Sequence, residues 1–332
     1  MKRYKTLIIF LIGTLSLAAK TITDMAGREV ILPPKVERIL PYDAKTSIFI
    51  FPVLKNKMVA TAILPGKKDY QFIDEAYKTM PEVDLKNVEA VLHYKPQVIL
   101  YSIYDKNNNT SPVLNLGRRL NIPVVMVNLS LDKLDKAYDF LSTTFDIGSE
   151  CASLRTFLKK VYQQSDSLKT AHQELTCELY YSVGPSGLMT DPAGSKHTEV
   201  LDYMALNNAA KVGIPSGGHA QVNLEQVLLW NPDYILAGSF RGKESAYRYI
   251  TTDHKWASIN AVKSGKVFKI PTQPLGWLDH PPSINRIPGI IWLSEIFYDY
   301  PKEKAKADII QFYQLFYNYH LSDEEYASLF HE

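Results

Sequence analysis

Cysteine is nearly absent from this chain: Cys151 and Cys177 are the two in 332 residues, too few for a fold built on disulfides. If one long helix lies between them, its rise of about 1.5 Å per residue holds them far beyond bridging distance. Free thiols are therefore expected, with a bridge as the alternative in an oxidising compartment. Low-complexity tracts are missing, which excludes a disordered or fibrous protein. A basic surplus is missing too. The formal charge is +2, and without Lys2, Arg3 and Lys5 it turns slightly negative, so nucleic acid is not an expected partner. The chain has no Gly-x-Ser-x-Gly elbow, no His-Glu-x-x-His, no phosphate-binding Gly-x-x-x-x-Gly-Lys-Ser/Thr and no dinucleotide fingerprint. Gly184-Pro185-Ser186-Gly187 imitates an elbow only in part. These absences argue against an enzyme, an exported metal chelatase being the catalytic alternative. Beyond the first twenty residues, no apolar run is long enough to span a bilayer.

What is present is globular: 46% hydrophobic, 22% charged and 11% aromatic, with length for two α/β domains. Lys2, Arg3 and Lys5 precede a short apolar run over residues 7–17, and Ser16-Leu17-Ala18 offers small residues at the −3 and −1 positions. The pattern reads as a cleavable signal peptide over 1–18, with an uncleaved anchor as the alternative. No cysteine ends the apolar run, so no lipid anchor is expected there. The expected location is the periplasm.

The most informative feature is internal. Asn87-Val88-Glu89-Ala90-Val91-Leu92-His93-Tyr94-Lys95-Pro96-Gln97-Val98-Ile99-Leu100 recurs as Asn223-Leu224-Glu225-Gln226-Val227-Leu228-Leu229-Trp230-Asn231-Pro232-Asp233-Tyr234-Ile235-Leu236. Each copy reads as an Asn cap, a short helix with Glu in its first turn, a proline stop and a buried strand. So wide a spacing is not that of a solenoid; it implies two lobes built alike. Strand-like runs at 38–40, 58–62, 98–101 and 124–127, then at 178–183, 234–237 and 267–270, alternate with helical patterns. That alternation predicts an α/β fold with mainly parallel sheets in both lobes. Between the halves, 131–174 has almost no breakers apart from Gly148 and could form one helix along both lobes, or two with a break there. The expected divisions are a signal peptide at 1–18, a first lobe at 19–140, a linking helix at 141–174 and a second lobe at 175–332.

Thr21-Ile22-Thr23-Asp24-Met25-Ala26-Gly27-Arg28-Glu29-Val30-Ile31-Leu32-Pro33, followed by Lys35-Val36-Glu37-Arg38-Ile39, resembles the mature N-terminus of helical-backbone (class III) substrate-binding proteins. These serve ABC importers of ferric siderophores, haem, cobalamin and some metal chelates. The repeats, the central helix and the order of elements extend the resemblance to the C-terminus. It implies two lobes joined by a stiff helix, a ligand cleft between them and no cofactor of the protein's own. It also implies that Glu89 and Glu225 dock on the two subunits of an ABC permease, where each glutamate otherwise merely complements its own helix N-terminus.

Ligands of open α/β sheets bind at loops after strand C-termini, and those loops here are rich in His, Tyr, Trp and Arg. His219, after Gly217-Gly218 and six residues before Glu225, matches a metal-ligating histidine of some siderophore receptors, with a surface histidine as the alternative. Arg241 follows a strand where relatives present an arginine to an anionic chelate. Trp277 and His280 lie in a loop stiffened by Pro274, Pro281 and Pro282; Trp277 either covers the ligand or packs the lobe edge. Tyr42 and Tyr104 are candidate wall residues, with His197 and Arg286 as further ligand-binding candidates. His219 and His280 are the candidate metal ligands. The expected function is a monomeric receptor that carries a metal-bearing small molecule, a ferric siderophore or related iron complex first. Cobalamin, haem or a nickel chelate is the alternative, and a binder of free metal ions is a further one.

Overall fold

The computed structural model describes residues 19–64, 66–105, 108–216, 218–240 and 243–330. The expected signal peptide and Arg241 lie outside them. Among the described residues no helix is long and apolar enough to cross a membrane.

The chain opens with an antiparallel hairpin of β1 (Lys20–Thr23) and β2 (Glu29–Leu32). Its turn is organised by Asp24, whose buried carboxylate accepts from the backbone of Ala26 and Arg28 at 3.0 Å and of Met126 at 3.1 Å, and pairs with the Arg28 guanidinium. The first lobe follows as a parallel sheet in the order β3 (Ile39–Pro41), β4 (Val98–Ile103), β5 (Val124–Asn128). The helices α1 (Ala44–Leu54), α2 (Val88–His93) and α3 (Ser111–Leu120) connect these strands. β5 is buried throughout and β4 nearly so, as expected of strands covered on both faces. The strand expected at 58–62 shrinks to Thr61–Ala62, with Met58 forming only an isolated parallel bridge to Ile39.

The linking segment is two helices rather than one. α4 (Leu134–Phe145) ends where Asp146 adopts a left-handed backbone, φ 55°, and α5 (Gly148–Ala171) begins two residues later. The left-handed residue closes the helix C-terminus and turns the chain, so the linking helix covers less than 141–174. Cys151 and Cys177 are both free thiols, and burial pushes the Cys151 thiol up to about 12.

In the second lobe, β6 (Glu178–Val183), β7 (Tyr234–Gly238) and β8 (Val267–Lys269) run parallel in that order. Two short antiparallel strands extend the β6 edge: Met189–Thr190, then Ala220–Gln221. Helix α6 (Leu224–Trp230) repeats the construction of α2. Asn87 Oδ1 accepts from the Ala90 amide at 3.1 Å, and Asn223 Oδ1 from the Gln226 amide at 2.8 Å. Lys95 and Asn231, one position before the matched prolines, share a left-handed backbone. The sequence repeat is therefore a repeat of caps and stops, which are local chemistry.

Helices α7 (Arg286–Phe297) and α8 (Lys302–Phe316) finish the lobe and return the chain to the first one. Phe316 packs on Tyr138, the Asp74 amide donates to the Tyr317 carbonyl at 2.9 Å, and α8 touches α1. One apolar core thus runs through both lobes, from Ile39 and Phe49 to Leu236 and Phe312. The expected second lobe, 175–332, ends on the first.

Candidate functional site

Three histidines and two aspartates meet where the second-lobe loops face the first lobe. Strand pairing brings in the first couple. Ala220 lies opposite Thr190 in antiparallel register, so the next pair outward is His219 and Asp191, and His219 Nδ1 bonds the buried Asp191 carboxylate. The second couple comes from loops. His197 precedes the short helix Glu199–Tyr203, and its Nδ1 bonds the Asp279 carboxylate. Asp279 also lies 3.3 Å from Nδ1 of His280. Two carboxylates thus face the Nδ1 edges of three imidazoles.

The three rings form a triangle, with His197 stacked on each of the other two and His219 tilted to His280. His197 and His219 lie 4.7 Å apart between centroids, and His280 is 5.6 Å from each. Phe240 closes one side with its edge against His219 and His280. One ligand-capable atom each from Asp191, His219 and His280 falls within a 4.8 Å group, and so does one each from His197, Asp279 and His280. His280 belongs to both groups. Its Nε2 is buried without a hydrogen-bond partner, and its backbone is left-handed at φ 62°. Asp191 Oδ2 and Asp279 Oδ1 are buried and unpartnered as well. Such orphaned polar atoms cost free energy unless a ligand supplies what they lack.

Gly218 shapes the remaining edge. A Cβ on it would stand 2.5 Å from His197 Cδ2 and 2.7 Å from Nε2, and its φ is +88°. Glycine keeps clear the ring edge that faces away from Asp279. With Nδ1 fixed by a carboxylate, the Nε2 lone pair of a neutral imidazole is what a metal would meet.

Charge follows from burial and pairing. Burial lowers the pKa of His197, but its hydrogen bond to Asp279 and the charges of Asp279 and Asp191 outweigh that and raise it above the usual histidine value. Burial lowers His280 below the usual value, and the nearby carboxylates only partly oppose this. Asp279 is raised by burial, yet the charges of His280, His197 and Arg286 hold it below the usual carboxylate range.

Of the expected site residues, the structure brings together His197, His219 and His280. Tyr104 lies beside them, its hydroxyl donating to the Pro282 carbonyl at 2.5 Å. For Trp277 the structure selects packing over ligand contact, and for Arg286 it overturns the expected ligand contact. Trp277 is fully buried, packed against Trp292 and Phe330 with its indole N–H donating to Tyr313 at 3.2 Å. It anchors the loop in the core. That loop sits tightly on α7, where a Cβ on Gly289 would come within 2.2 Å of the Trp277 carbonyl. Arg286 is also buried, and its guanidinium is occupied by Glu199, Leu129 and Ser283, so it is closed to a ligand. Tyr42 packs edge-on against Tyr101 and belongs to the smaller first-lobe core. Glu89 and Glu225 are exposed at matched positions of α2 and α6. Asp191 was missed: the only local signal is a carboxylate after a two-residue strand, and its partner is 28 positions away.

A profile of the periplasmic binding protein family matches residues 51–274. The chain belongs to the periplasmic binding proteins. It is 27% identical to the molybdate-binding protein MolA of Haemophilus influenzae across 96% of this chain and 97% of that one. Among solved structures, an ABC transporter solute-binding protein from Sulfurospirillum deleyianum superposes with TM-score 0.82 at 24% identity, covering 94% of this chain and 99% of that one. The CeuE/Ni-His complex of Helicobacter pylori gives 0.64 at 14% identity, with 94% and 99% coverage. This chain is therefore a binding protein rather than an enzyme, with the two-lobed fold that those structures share.

Proposed function

We propose that this receptor captures a small transition-metal species, free or in a compact chelate, at the two overlapping groups Asp191–His219–His280 and His197–Asp279–His280, and delivers it to its permease. The observation that carries the reading is the pair of histidine–carboxylate groups that share His280, with His197 and His219 held at Nδ1 by buried carboxylates. Carboxylate–histidine pairing of this kind orients metal ligands and raises their basicity, and imidazole suits Ni, Cu, Fe and Zn. The histidine side chains are only 11%, 17% and 29% exposed, an opening suited to a small species rather than to the broad face of haem or a corrinoid. An iron complex fits if its chelator leaves coordination positions for imidazole. Glu89 and Glu225 would then meet the two permease subunits, one from each lobe.

A second reading is a metal oxyanion such as molybdate, favoured by the likeness to MolA and by the raised pKa of His197. His197 would then be protonated and donate from Nε2. The two readings differ in proton traffic: ligating a metal displaces protons from imidazole, whereas holding an oxyanion draws them in. Calorimetry in two buffers of unlike ionisation enthalpy, with Ni²⁺, Co²⁺, Zn²⁺, a ferric chelate and molybdate, separates them. Metal binding with proton release, lost in His219→Ala and His280→Ala, is the expected result. Molybdate binding with proton uptake, and no binding of the metal species, would replace it with the second reading.

A further inference from the structure

All five groups of the histidine cluster belong to the second lobe, yet the loop carrying Asp279 and His280 is held at the ends of all three first-lobe strands. Beyond β3, the Lys45 carbonyl accepts from Ser283 Oγ at 2.9 Å. Beyond β4, the Tyr104 hydroxyl donates to the Pro282 carbonyl at 2.5 Å. Beyond β5, the Leu129 carbonyl accepts from Arg286 Nη2 at 2.8 Å. Arg286 uses its other nitrogens on the cluster's own supports. Nε donates to the Ser283 carbonyl at 3.2 Å, and Nη1 pairs with the Glu199 carboxylate. The second Glu199 oxygen accepts from the Leu131 amide at 2.8 Å. Glu199 stands two residues after His197, and Ser283 three after His280. One buried guanidinium therefore ties the first lobe to two of the three segments that present metal-capable histidines, those of His197 and His280.

We propose that Arg286, acting with Glu199, is a positioning residue that fixes the spacing of His197 and His280 from the first lobe, so that lobe contact and metal affinity are coupled. The proposal rests on the reading of the cluster as a metal site. Its physical basis is the planar fork of the guanidinium, which meets three acceptors at set angles as an ammonium cannot. Coupling of this kind is reciprocal: whatever factor the lobe contact adds to metal affinity, bound metal adds to the lobe contact. Occupancy of a site built from one lobe would in this way be felt by the other.

The test uses the full chain and Co²⁺ alone, read by calorimetry and by visible absorption, which reports coordination geometry. Arg286→Lys and Glu199→Gln are expected to weaken Co²⁺ binding by about tenfold or more and to alter its spectrum, as loss of an orienting partner does at metal sites. Tyr104→Phe removes one tie without leaving a buried charge and should move both readouts the same way. Lys160→Ala, which breaks an ion pair with the buried Asp308 between α5 and α8, should lower Tm and leave affinity and spectrum intact. The proposal is overturned if Arg286→Lys, Glu199→Gln and Tyr104→Phe lower Tm but keep wild-type Co²⁺ affinity and spectrum. If Arg286→Lys does not fold, the other two variants decide in the same way. A wild-type protein that binds neither Co²⁺ nor Ni²⁺ overturns the reading of the cluster, and this proposal with it, before any variant is compared.

Discussion

Asp279→Asn is the most direct perturbation of the site. The Asp279 side chain is fully buried, accepts from His197 Nδ1, stands 3.3 Å from His280 Nδ1 and carries one unpartnered oxygen. Asparagine keeps the size and one acceptor but removes the charge. Losing a carboxylate behind a metal-ligating histidine costs about 10- to 100-fold in affinity, or about 1.4 to 2.7 kcal/mol. The metal-free protein should respond as well, since a hydrogen bond to a charged group contributes about 1.5–3 kcal/mol. The sign of the pH dependence follows from the two partners. Asp279 has a lowered pKa in the fold, so its contribution is present above the unfolded value of about 3.9 and is lost as pH falls through the folded value. His197 has a raised pKa, so its contribution is full below about 6.5 and is lost as pH rises through the folded value. The pair thus stabilises most between about pH 4 and 6.5, and Asp279→Asn should flatten the profile there. Thermal unfolding from pH 3 to 9 in the presence of a chelator, together with Ni²⁺ calorimetry at pH 7.5, measures both effects. Ni²⁺ affinity within twofold of wild type, with an unchanged stability profile, would refute the assignment of Asp279 as the carboxylate that orients these imidazoles.

Gly218→Ala places a methyl group 2.7 Å from His197 Nε2 on a left-handed backbone. It should cost about 1–2 kcal/mol of stability and weaken Ni²⁺ binding by about tenfold or more, while the same change at the open Gly213 leaves binding unaltered. Glu89→Ala combined with Glu225→Ala removes two exposed carboxylates. Ligand affinity should stay within about twofold and transport into proteoliposomes carrying the permease should fall by about tenfold or more; reduced ligand affinity would place these residues in the fold or the cleft instead.

The chain's local chemistry is written in its sequence. Asn87 and Asn223 as caps, Pro96 and Pro232 as stops, and the buried strands after them can all be read from neighbours a few positions apart, because caps and periodic burial depend on contacts within a turn. From these came the two lobes, the alternating order of strands and helices and the histidine-bearing loops. The break between α4 and α5 falls beside Gly148, the one breaker of the segment, because a left-handed residue at Asp146 ends the first helix. What tertiary structure alone decided is which loops touch. His219 meets Asp191 through an antiparallel register, and His197 meets Asp279 across 82 positions. The same folding hides Trp277 and Arg286, whose residue types suit a ligand wall as well as a core. An indole or a guanidinium carries no mark of its burial; that depends on whether the remainder of the chain supplies Tyr313 and Trp292, or Glu199 and Leu129, to surround it. Local sequence set the elements and the kinds of side chain at their ends, and only the packing of two lobes decided which of those side chains face a ligand.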